Sequence, residues 1–197
     1  MKLRLNEAYM GFPAGTIIEN TSLISNPQLM GKVTVLDLND GNTSLSDVVR
    51  TFDLMITRPA NLDPYLAGDV ISGGTLAFFA DVAKAAGSGV IITNMRVQTD
   101  DTGLAGKTIN VNIYKDTVTN QVNNSVYAVS DPAKRVGHVA LTFGTGSRAS
   151  VASDMFTNVM LNPTTRDIHI IVEAVDAFTP SAVSTNIRIF MECILTN

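Results

Sequence analysis

Thr108-Ile-Asn-Val-Asn-Ile-Tyr114 alternates apolar and polar residues with a strict period of two, the pattern of a strand that shows one face to a core and the other to polar surroundings. Upstream, Val90-Ile-Ile-Thr-Asn-Met-Arg-Val-Gln-Thr99 is equally rich in β-branched residues, and downstream Val136-Gly-His-Val-Ala-Leu-Thr-Phe143 continues the theme. Gly, Pro, Asn and Asp fill the gaps. Strands at this spacing, separated by turn chemistry, predict an all-β sandwich or barrel.

Further strands are expected at Val48 to Thr57, Asp69 to Ile71, Thr75 to Asp81, Ser125 to Val129, Ala149 to Asn158, Ile168 to Val175 and Asn186 to Leu195. Leu76 to Ala86 is rich in alanine, which favours helix, but its Phe78-Phe79 pair favours strand; it is read as a strand running into a loop. Before residue 48 the pieces are shorter. Lys2 to Leu5 and Gly15 to Glu19 are extended and suited to pair as a small hairpin, and Gly31 to Leu38 leads to Asn39-Asp40-Gly41, a tight-turn sequence. A soft boundary near residue 48 therefore separates an N-terminal arm or small β subdomain, residues 1–49, from a two-sheet antiparallel β-sandwich, residues 50–197.

Composition narrows the function classes. Hydrophobic residues make up 45% of the 197 and charged residues only 16%, against about 25% in an average soluble domain, so Ser, Thr and Asn must supply much of the surface. The net charge of −4 and the lack of a Lys/Arg cluster argue against nucleic acid as a partner. The single cysteine, Cys193, has no intrachain partner for a disulfide or thiolate cluster, and is read as a buried strand residue. No secretion-type apolar run opens the chain and none of spanning length occurs, which predicts synthesis and folding in a cytoplasm and no membrane.

Motifs for chemistry are sparse. His138 and His169 both fall in strands, and no Gly-x-Ser-x-Gly elbow accompanies them, so no catalytic residue is assigned. Asp37-Leu-Asn-Asp-Gly41 resembles a calcium loop, but glycine stands fifth rather than sixth and Val48 stands where the twelfth-position Glu is needed; it reads as a hairpin turn. Asp100-Asp101 with Asp116 is a weak cation candidate, read as solvated loop acids. Gly144-Thr-Gly-Ser-Arg148 and Gly87-Ser-Gly89 lack the ending of a phosphate loop. No cofactor or metal is expected. Tyr65, beside Pro64 in the Arg58 to Asp69 loop, is the aromatic best placed for a sugar, a sheet cap or a neighbouring subunit.

Thr57-Arg-Pro-Ala60 followed by Tyr65-Leu-Ala-Gly-Asp-Val70 resembles an opening found in small structural proteins of phage particles encoded near capsid and tail genes. Later landmarks fall in the same order: Gly87-Ser-Gly-Val-Ile-Ile-Thr93, Ile109-Asn-Val-Asn-Ile-Tyr114, Ser130-Asp-Pro before Val136 to Phe143, and Phe178-Thr-Pro-Ser-Ala182 before the last strand. The resemblance spans roughly residues 50–197. Met1-Lys-Leu-Arg-Leu5 with Tyr9 to Ile18 also resembles the N-terminal strand pair of head-associated phage proteins. The family implies a jelly-roll-like fold and a non-enzymatic virion role, with no catalytic residues to carry over.

Within that resemblance the expected role is a capsid decoration or cement protein on the virion surface, made in the host cytoplasm, with the major capsid protein as partner. A trimer or dimer is expected, since sandwich edges invite pairing. Leu3, Tyr9, Phe12 and Ile17 of the arm, with Tyr65, are the candidate contacts to capsid or sister subunit. The alternative is a head-fibre, tail or connector protein whose sandwich binds a surface glycan or receptor.

Overall fold

β-Branched and alternating segments form strands throughout the computed structural model, which describes residues 2–5, 17–18, 33–37, 49–129, 131–145 and 153–195. The chain divides into two units, Met1–Val49 and Arg50–Asn197. In the first, β1 (Lys2–Leu5) pairs antiparallel with β2 (Ile17–Ile18) on one side and β3 (Val33–Asp37) on the other, in the order β2-β1-β3. Leu3 stands opposite both Ile18 and Val35. The Asn39-Asp40-Gly41 turn lies outside the described residues.

The second unit holds β4 (Val49–Thr57), β5 (Val70–Ile71), β6 (Ala77–Phe79), β7 (Gly89–Thr99), β8 (Thr108–Tyr114), β9 (Arg135–Thr142), β10 (Ser153–Met160), β11 (Ile168–Ala174) and β12 (Asn186–Leu195). They make two antiparallel sheets, ordered β10-β7-β12-β4 and β5-β11-β8-β9, with β6 also paired to β11 beyond β5. Counting β5 and β6 as one interrupted strand, successive strands switch sheets at every step except the β8–β9 neighbours. That is the winding of a jelly roll, two four-stranded layers closing one core.

Alternation fills that core. Ile187, Ile189, Met191, Cys193 and Leu195 of β12 point inward, as do Ile109, Val111 and Ile113 of β8 and Ile168, Ile170, Val172 and Ala174 of β11. In β7 the phase slips: Val90 and Ile92 face in, and so do Met95, Val97 and Thr99. A bulge accounts for it. Glu192 pairs Asn94 and Cys193 pairs Ile92, so Thr93 is the extra residue, its hydroxyl donating to the Glu192 carbonyl at 3.2 Å. Burial pushes the Cys193 thiol up to about 12, leaving it protonated and inert.

Two expectations need correction or refinement. Ser125 to Val129 is not a strand: Asn124 turns with φ +59°, and the segment forms only an isolated bridge, Val126 to Asp69, rather than a ladder. It belongs to the long β8–β9 connection, which folds over the outer face of the second sheet. There Val118 and Tyr127 pack with Val70, Tyr114 and Ile171 in a small core of their own, and the two tyrosine hydroxyls meet at 2.6 Å. Leu76 to Ala86 does run from strand into loop, broken by Asp81 at φ +53°.

Ile92, fully enclosed between the sheets, is the simplest probe of this core. Ile92→Ala is expected to cost about 2–5 kcal/mol, read in urea unfolding as a lower midpoint at unchanged slope.

Candidate functional site

Three loops meet at one end of the sandwich: the one leaving β4, the one joining β7 to β8, and the one entering β12. Arg58 and Asp101 sit between them with no side-chain exposure, their charged groups 3.3 Å apart. Thr57-Arg-Pro-Ala60 places Arg58 directly after the last pair of β4, where its backbone N–H donates to the Thr185 carbonyl at 2.9 Å. Its guanidinium then bonds with every arm: Nε to Thr185 Oγ1 (2.9 Å) and one terminal nitrogen to the Ala182 carbonyl (3.1 Å) in the loop entering β12, the other to the Tyr65 hydroxyl (3.3 Å) in the loop leaving β4.

Asp101 collects the matching donors. Its side chain caps the short 3-10 turn Thr102–Leu104 by accepting from the Gly103 N–H at 2.8 Å. It also accepts from the Ser181 N–H (2.9 Å), the Ser181 hydroxyl (2.7 Å) and the Thr185 hydroxyl (2.9 Å). Burial by itself would raise the Asp101 carboxyl, but the donors from Ser181, Gly103 and Thr185 outweigh it and hold the group below its ordinary 3.8. Gly103 cannot be replaced cheaply: a Cβ there would stand 2.1 Å from the Thr179 carbonyl oxygen. The arrangement is a clamp with every arm occupied, and it offers no open coordination or reactive position.

Tyr65-Leu-Ala-Gly-Asp-Val70 closes the same end. Leu66 to Asp69 is a tight turn, with Asp69 N–H donating to the Leu66 carbonyl at 3.1 Å and Gly68 at φ +92°, where only glycine is unstrained. The Asp69 carboxylate returns to the Leu66 N–H at 2.6 Å. Tyr65 is 1% exposed; its ring stacks on Phe178 at 4.7 Å and its hydroxyl donates to Asn123 Oδ1 at 2.9 Å. Burial to this extent argues against Tyr65 as an exposed contact or sugar platform, and Leu62 and Leu66 carry the loop's exposed apolar surface. Leu3 and Ile17 stand in β1 and β2, while Tyr9 and Phe12 lie outside the described residues.

The remaining candidates do not converge. Asp100 is engaged with the Asn186 backbone and side chain at 2.6 and 2.9 Å, whereas Asp116 bonds Asn162 at 2.8 Å. The two lie beyond opposite ends of β8, whose length puts them roughly 20 Å apart. No group of three or more His, Cys, Asp or Glu among the described residues is placed to hold a metal. His138 is exposed and takes a bond from Arg135 at 3.0 Å; His169 is buried and meets Thr117 at 3.4 Å. Neither imidazole bonds a carboxylate among the described residues. No helix is long and apolar enough to cross a membrane among the described residues.

A groove of about 520 Å³ lies beside β4. Five successive residues, Asp53 to Thr57, border it, so the strand presents its backbone edge rather than one face. Met55 (62% exposed) and Phe78 (43%) flank it.

No family model and no curated protein sequence matches the chain. Among solved structures, similar chains come from the acidic stable capsid of Helicobacter pylori bacteriophage KHP30, the capsid asymmetric unit of cyanophage Pam1, and Tomato Aspermy Virus. Each is 9% identical; the TM-scores are 0.33, 0.37 and 0.30, with 76%, 82% and 89% of this chain covered and 90%, 96% and 94% of theirs. The jelly-roll assignment rests on the strand order of the molecule itself.

Replacing one member of the clamp leaves the other charge buried alone. Arg58→Met or Asp101→Asn is expected to lose about 3–5 kcal/mol, while the pair Arg58→Met with Asp101→Leu recovers part of it, as measured by urea unfolding. Because the Asp101 carboxyl is depressed in the fold, its contribution is complete above pH 3.8 and fades as pH falls through the lower folded value. In acid titration of stability, Asp101→Asn should flatten that limb.

Proposed function

We propose that this chain is a structural protein of a phage particle, a decoration or cement subunit bound on the outside of the capsid. The observation that supports it most is the jelly-roll strand order of residues 50–197, carrying in sequence the landmarks that resemble the phage structural family. Several of those landmarks are structural in this molecule: Arg58 and Asp69 fasten loops, and Tyr65 and Phe178 stack. A jelly roll by itself serves capsids, lectins and cupins alike, so the landmarks carry weight that the fold does not.

In this reading the sandwich bridges joints between major capsid protein subunits and stabilises the lattice state it binds by mass action. Residues 1–49 act as the docking arm, and the subunit works as a trimer or dimer whose multiple weak contacts add. The edge of β4, without a second strand neighbour among the described residues and with Met55 and Phe78 beside it, is the kind of surface that an assembly covers. A charge-poor, apolar-rich composition accords with a protein held among neighbours.

A cryo-electron-microscopy map of the purified particle tests the role. Density for a sandwich of this size is expected as multimers over lattice joints; density confined to a portal vertex or tail would overturn the decoration role. Deleting residues 1–30 is expected to leave the sandwich folded, by circular dichroism, while abolishing rebinding to stripped particles.

A further inference from the structure

The β8–β9 connection that covers the second sheet rests on a histidine. His169 is 5% exposed, on the outer face of β11. Its ring lies tilted against Phe78, centroids 5.4 Å apart, and Nε2 makes only a long 3.4 Å contact with Thr117 Oγ1, a residue of the connection. Nδ1 is buried with no hydrogen-bond partner among the described residues. A neutral imidazole tolerates this environment, because one nitrogen carries no proton. An imidazolium does not, because it presents two N–H donors and a charge where one weak acceptor is available.

The charged groups near the ring do not rescue it. Asp116 and Lys134 face it from the two ends of the connection, and Asp167 from the turn entering β11. Asp116 is taken by Asn162, and Asp167 accepts the Asp81 N–H. Phe78 on β6 and Tyr114, its cross-strand neighbour on β8, are uncharged. Burial lowers the affinity of His169 for a proton, and although Asp167 and Asp116 pull the other way, the balance stays below 6.5, with Lys134 adding to the depression.

What the connection hides is well defined. Asn124 N–H donates to the Val70 carbonyl, Val70 N–H to the Ser125 carbonyl and Tyr127 N–H to the Gly68 carbonyl, so the backbone of residues 124–127 occupies the edge of β5. Beneath it lie Val70, Tyr114 and Ile171, against which its own Val118 packs. We infer that residues 115–129 form an acid-released cover triggered by His169: the closed cover accepts the neutral ring and excludes the protonated one, so acid favours a lifted state that exposes the β5 edge and its apolar bed. This does not depend on the particle role proposed above.

The sign is fixed by linkage. The lifted state binds the proton near pH 6.5 and the closed state only at lower pH, so opening is constant above about pH 7. Below about 6.5 it grows by up to roughly tenfold per pH unit, until the closed-state value is reached.

Hydrogen–deuterium exchange of the full chain between pH 7.5 and 5.0, corrected for intrinsic exchange rates, reads it directly. Amides of residues 117–128 are expected to lose protection progressively as pH falls from 6.5 to 5.0, at most by roughly tenfold per pH unit, with β7 and β12 unchanged. His169→Phe, which keeps an aromatic against Phe78 and cannot titrate, should remove that dependence; His169→Gln serves if the larger ring does not fit. Protection that is flat with pH in the unmodified protein, acid-dependent loss that survives in the folded variants, or loss in step with β12 would each overturn the inference.

Discussion

A guanidinium and a carboxylate withdrawn from water, Arg58 and Asp101, set the condition that the loop end of this sandwich must meet. Neither charge is tolerable there unless every remaining donor and acceptor is matched. Meeting that condition fixes the exit of β4, the cap of the turn Thr102–Leu104 and the entry to β12 at once, since Ser181, Ala182, Thr185 and Gly103 are all held to the pair. Tyr65 and Phe178 then stack beside a frame that is already set. The specificity here is geometric: a hydrophobic plug would fill the same space but would not dictate which loop backbone stands where.

At the level of whole strands, much of this was legible in the sequence. Thr108–Tyr114 and Asn186–Leu195 match their expected limits because alternation and the facing core agree residue by residue. Ser125 to Val129 misled because Val126, Tyr127 and Val129 have strand composition, while strand status also needs a ladder partner, and the connection finds only one bridge at the β5 edge. Composition reports what a backbone can do; pairing depends on what the rest of the chain brings alongside.

The clamp was less legible. Asp100-Asp101 reads as a solvated acidic loop because it stands among Thr and Gly residues, and Arg58 meets Asp101 only once β4 and β7 are packed in one sheet. A local hint did exist, since Asp101-Thr-Gly103 has the spacing of a side-chain-capped turn. Tyr65 was misplaced for the same reason: its sequence neighbours are loop residues, but Phe178, its actual neighbour, comes from the far side of the molecule's winding. The phase slip in β7 also hides in the sequence, where Thr93-Asn94 looks like an ordinary polar pair rather than a bulge.

The winding that puts β4 beside β12 carries a consequence for how the molecule is made. The first strand of the sandwich has as its sheet neighbour the last, so on a ribosome the layer β10-β7-β12-β4 cannot close until residue 195 has emerged. Until then β4 waits with an unmatched edge, and most of the native pairings span long stretches of chain. Closing that layer is therefore a long-range, slow step. During that interval the nascent protein is most exposed to wrong pairing with other copies, for as long as the ten residues of β12 are still to be delivered.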